Sequence, residues 1–136
     1  MNHTVNSLEH KSNKKLFAAL LWTLFVTVLS LISFGSFASN IKIANKDKIV
    51  HFIFYFVMII LWLNYFMAHK INYVYLKVFL LISTYGVFIE ICQEAFTKNR
   101  QADVYDALTN ALGAFFGLVV LKTYISQKKM NNQNFH

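Results

Sequence analysis

Four apolar runs, residues 16–34, 49–67, 73–96 and 104–125, make up most of this 136-residue chain. Each is close to the ~20 residues a helix needs to cross a hydrocarbon core. Lipid offers no partner to an open backbone amide, so runs of this length must close their hydrogen bonds internally, as helices. The connections, near residues 35–48, 68–72 and 97–103, are short, and short links set successive spans antiparallel. The expected fold is all-α: four transmembrane helices in an antiparallel up-down bundle occupying residues 16–125. A basic N-terminus, 1–15, precedes the bundle and a polar tail, 126–136, follows it. No proline occurs, which removes the commonest cause of a helix kink.

Composition agrees with a lipid environment. The chain is 57% hydrophobic and only 14% charged, whereas about a quarter of a soluble domain is charged. The first run, 19 residues long, exceeds the ~7–15 of a secretory signal core. It is expected to stay as a spanning helix, although Ser36-Phe37-Ala38 has the look of a small-x-small cleavage site.

The net charge of +7 raises nucleic acid as a partner, but the lysines are spread over the ends of the spans. Nucleic-acid binding needs a clustered basic face, so the lipid bilayer is the expected partner and the lysines its headgroup anchors. Their distribution orients the chain. Lys11, Lys14, Lys15, Lys70, Lys77, Lys122, Lys128 and Lys129 fall on one side, and Lys42, Lys46, Lys48, Lys98 and Arg100 on the other. The positive-inside rule places both termini in the cytoplasm. Cys92 is the only cysteine, which rules out an intrachain disulfide and a thiolate metal cluster; it reads as a small buried hydrophobe.

The acids carry the functional signal. Five of six, Asp47, Glu90, Glu94, Asp103 and Asp106, sit at the margins of apolar runs, where ionisable groups normally face a protein interior or a cavity. In a four-pass bundle the first and third connections share a membrane face. Parity alone therefore brings Asp47 and His51 to the same side as Glu90, Gln93, Glu94, Arg100, Asp103 and Asp106.

On the second span Asp47, His51 and Tyr55 recur every four residues and form one stripe at about 100° per residue. Asp47 also suits a helix N-cap. On the third, Glu90, Gln93 and Glu94 are spaced i, i+3, i+4, and two carboxylates one turn apart call for a cation, a proton or water between them. Ser83 and Gly86 extend that face and would admit another helix closely. On the fourth, Asp103, Asp106, Asn110, Gly113 and Gly117 step by three, four, three and four, again one face. Carboxylates at a helix start are favoured by its unpaired amides and macrodipole. Asn110 lies a turn further in and needs a partner within the bundle. Gly113 and Gly117 form a GxxxG step suited to tight packing. Arg100 could pair with Asp103 or Glu94, or take an anion from the surface.

In order, these residues resemble the VanZ-like membrane protein family. The likeness lies in Asp47-Lys48-Ile49-Val50-His51-Phe52 and in Tyr85-Gly86-Val87-Phe88-Ile89-Glu90-Ile91-Cys92-Gln93-Glu94. It closes with Arg100-Gln101-Ala102-Asp103-Val104-Tyr105-Asp106, Asn110, Gly113 and Gly117, while residues 16–34 look like the family's leading helix. The family takes its name from a protein associated with resistance to the glycopeptide teicoplanin, and most members have no established activity. The resemblance implies a small, multi-pass protein of the bacterial cytoplasmic membrane and supplies no reaction.

Three functions follow as alternatives. The first is an envelope protein whose polar pocket on the extracytoplasmic face (Asp47, His51, Glu90, Gln93, Arg100, Asp103, Asp106, Asn110) binds a lipid-linked or cell-wall precursor and alters the access of glycopeptide antibiotics. The second is a membrane-embedded enzyme acting on a phosphate-bearing lipid. There Asp47, His51, Glu90 and Asp106 could hold a divalent cation, Mg²⁺ or Mn²⁺ rather than structural zinc, with Arg100 steering phosphate. The third is a scaffold, in which buried pairing fixes the packing of the helices. Transport is disfavoured for a monomer, because four short helices leave little room for a pathway; the sequence does not fix the oligomeric state.

Overall fold

The computed structural model describes residues 2–31, 46–96 and 103–133. Within them the chain forms α1 (Asn2–Leu31), α2 (Lys46–Phe66), a single 3-10 turn (Met67–His69), α3 (Val74–Phe96) and α4 (Val104–Gln133). No strand occurs among the described residues. All four helices are long and apolar enough to cross a membrane.

Two helices outrun their apolar segments. α1 begins at Asn2 and α4 continues to Gln133, each with 30 residues. At 1.5 Å per residue these are roughly 45 Å long, against a hydrocarbon core of ~30 Å. The basic N-terminus and the beginning of the polar tail are therefore helical continuations of the spans. Once a helix is nucleated, each further residue adds a bond at little cost, and no proline interrupts either end.

The link from α2 to α3 is tight. Lys70 and Tyr73 both take left-handed backbone conformations, with φ of 49° and 56°. Lys70 stands just beyond the 3-10 turn, where a left-handed residue commonly ends a helix.

Contacts along the helices give their relative directions. Lys48 pairs with Asp106, and His51 with Asn110. Further along, Phe52 lies against Gly113 and Phe56 against Gly117. α2 and α4 thus run the same way, side by side. The end of α3 returns to their starts, because Glu90 meets both His51 and Asn110. Gln93 donates to the carbonyl of Ser30 at 2.7 Å, which joins the ends of α1 and α3.

α2 is the central helix. Tyr55, Met58, Ile59 and Leu63 are fully buried and pack with Val26, Val78, Ile82, Ala114 and Leu121 from the other three. The outer surface is apolar: Phe17, Phe88 and Leu108 are each more than half exposed, as are many neighbours. Water would penalise such a surface, whereas lipid accepts it.

Candidate functional site: a polar cluster at one end of the bundle

Three helix ends converge where α2 and α4 begin and α3 finishes. Asp103 immediately precedes α4 and caps it. Its Oδ1 accepts from Tyr105 N–H at 2.8 Å, and its carbonyl accepts from the amides of Asp106 and Ala107. One turn on, Asp106 is 6% exposed. Lys48 Nζ lies 2.8 Å from Asp103 Oδ2 and 2.7 Å from Asp106 Oδ1, so one ammonium joins both carboxylates. Together with the Tyr105 amide, that ammonium holds the Asp103 carboxyl below the usual aspartate range. The Lys48 ammonium also lies 5.6 Å from the centre of the Tyr105 ring.

Beneath this pair is a second layer. His51, Glu90 and Asn110 are all buried. Asn110 Nδ2 donates to Glu90 Oε1 at 3.3 Å, which leaves its Oδ1 to accept from His51 at 2.9 Å. His51 Nδ1 is therefore the protonated nitrogen, and the same N–H lies 3.4 Å from Glu90 Oε1. Each member of the triangle satisfies another, as burial of such groups demands.

The glycines make this approach possible. A Cβ on Gly86 would stand 3.0 Å from Tyr55 Cε1 and 3.1 Å from Asn110 Cβ. A Cβ on Gly113 would run into the Phe52 carbonyl, and one on Gly117 would lie 2.5 Å from the Phe56 carbonyl oxygen. These contacts hold α3 and α4 close enough to α2 for His51, Asn110 and Glu90 to meet.

Deeper still, Tyr85 hydroxyl and Thr27 Oγ1 share a 2.6 Å hydrogen bond between α3 and α1. The hydroxyls of Ser30, Tyr55 and Ser83 are buried without a protein hydrogen bond.

Of the residues the sequence singled out, Glu90, Gln93, Asp106, Asn110 and His51 are brought together and buried. Asp103 joins them through Lys48. Asp47 stands exposed at the rim, in the first turn of α2. Glu94 is exposed and Cys92 half-buried. Arg100 lies outside the described residues, as does the Ser36-Phe37-Ala38 segment. Of the four candidate metal ligands, Asp47, His51 and Asp106 offer one atom each, all within 4.8 Å of one another. Glu90 instead supports His51 from behind.

Lys48 is the residue that sequence reasoning missed. Its place at the start of a span reads as headgroup anchoring, yet Lys48, His51 and Tyr55 are spaced i, i+3, i+7, as good a helical stripe as the one through Asp47. The hydroxyls of α1, Thr27 and Ser30, were missed too.

Such a molecule belongs among small multi-pass membrane proteins, here with a buried polar cluster at one end of the bundle. The profile of the VanZ/LLP1 family matches residues 2–125, and the chain belongs to that family. No match was found among curated proteins, nor among solved structures.

Proposed function

We propose that this chain is a protein of the bacterial cytoplasmic membrane whose polar cluster opens on the extracytoplasmic face. There it binds the polar head of a lipid-linked cell-wall precursor and alters the access of glycopeptide antibiotics. Both termini lie in the cytoplasm, in keeping with the lysine distribution. The observation that carries the reading is the convergence of Lys48, His51, Glu90, Asp106 and Asn110 from three helices at one end of an otherwise apolar bundle. Five polar side chains gathered there exceed what capping or interfacial anchoring requires. The family membership supports the link to glycopeptides.

The test is glycopeptide susceptibility of cells carrying Glu90→Gln or Asp106→Asn at matched membrane levels. Both variants should lose protection. Full protection from both would contradict the reading, and loss of folded protein in place of activity would assign the cluster to a scaffold.

A further inference from the structure

We propose that Asp47, His51 and Asp106 bind one divalent cation of the oxygen-preferring kind, Mn²⁺ or Mg²⁺, at the mouth of the polar cluster. This ion would meet a phosphate of the incoming ligand, a step that rests on the precursor-binding reading above; the ion site itself does not.

The spacing is right for an ion. One oxygen from each aspartate and one ring nitrogen of His51 lie within 4.8 Å of one another. Donors about 2.0–2.1 Å from an octahedral Mg²⁺ stand roughly 3–4 Å apart, so the three atoms need at most a small inward shift to close on one ion. Two carboxylates and one imidazole favour Mn²⁺ or Mg²⁺ over thiolate-seeking metals.

His51 is prepared for the task. Its N–H at Nδ1 is committed to Asn110 Oδ1 and lies beside Glu90 Oε1. That leaves Nε2 as the lone-pair nitrogen, on a side chain only 5% exposed. A carboxylate behind a histidine fixes its tautomer and orientation and raises its basicity toward a metal. Glu90 and Asn110 are thus positioning residues for the ion.

Lys48 acts against the ion. Its ammonium sits 2.7 Å from Asp106 Oδ1 and occupies one oxygen of a shared ligand. Removing that charge should strengthen cation binding, whereas a purely structural ion pair predicts no cation binding at all.

The experiment uses the full chain, purified in detergent and stripped with chelator, titrated with Mn²⁺ and followed by the electron paramagnetic resonance of the free ion. Wild type should bind one Mn²⁺ per chain, displaceable by Mg²⁺. Asp47→Asn at the exposed rim, His51→Gln and Glu90→Gln should each weaken binding about ten-fold or more. Lys48→Gln should tighten it, and Glu94→Gln, at an exposed position, should leave it unchanged. Absence of saturable binding in monodisperse wild type, or binding indifferent to Asp47→Asn and His51→Gln, overturns the ion site. Because no lipid is present, the two readings fail separately. Mn²⁺ binding without antibiotic protection overturns only the precursor reading, and protection without Mn²⁺ binding overturns only this one.

Discussion

Gly113 and Phe52 meet where α4 lies on α2, backbone against backbone, and a Cβ added at Gly113 would overlap the Phe52 carbonyl. Backbone cannot swing aside as a side chain does, so α4 must move as a whole. Gly113→Ala should cost about 1–3 kcal/mol, the usual range for overpacking. Gly86→Ala should cost less, because the atoms it meets belong to the side chains of Tyr55 and Asn110. Thermal unfolding of the two variants in detergent checks the order.

Asn110 ties the inner layer together, bonding both His51 and Glu90. Asn110→Leu keeps the volume and removes both contacts. Leaving buried polar groups less well satisfied costs about 1–3 kcal/mol, and the variant should lose stability by that order. A denaturation midpoint equal to wild type would contradict the layer's described role.

The outer layer makes a prediction about pH. Asp103 titrates in the folded protein below its ordinary value of 3.8, chiefly through Lys48 and then through the Tyr105 amide. A depressed carboxylate contributes stability that is present above the unfolded value and lost as pH falls through the folded one. Asp103→Asn should therefore melt below wild type at neutral pH, and the gap should close as the medium is acidified below 3.8. The gap should be small, because the Asp103 side chain is 42% exposed and solvent screens the pair. Parallel melts across that pH range measure it.

Thr27 and Tyr85 join α1 to α3 by a 2.6 Å hydrogen bond. Side-chain bonds between membrane helices are worth about 0.6 kcal/mol on average. A double-mutant cycle of Thr27→Val and Tyr85→Phe should give coupling of that order, and additive effects would show the bond contributes nothing.

Much of this was legible in the sequence because it depends on period and parity. Run length set the four spans, and the three-four stepping from Asp103 to Gly117 picked out the face that α4 turns inward. Asp106, Asn110, Gly113 and Gly117 are all buried on it. Lys48 was not legible, since a lysine at the start of a span is what headgroup anchoring also produces. Whether it points to lipid or to Asp106 depends on the rotation of α2 about its axis, a property of packing. Thr27 and Ser30 carried no signal because hydroxyls within an apolar run can bond their own helix, as Thr27 also does to the carbonyl of Thr23. Glu94 misled for the same reason as Lys48. One residue of helical rotation separates it from Gln93, and that suffices to expose one and bury the other.

The account depends on four helices crossing the bilayer so that the segments before α2 and before α4 emerge together. The most direct measurement replaces Cys92 with serine and adds single cysteines by Ser39→Cys, Asn72→Cys or Asn99→Cys, then labels intact cells with a membrane-impermeant maleimide. Positions 39 and 99 should label from outside and position 72 only after lysis. Labelling that puts 39 and 99 in opposite compartments would contradict the shared face on which the polar cluster stands.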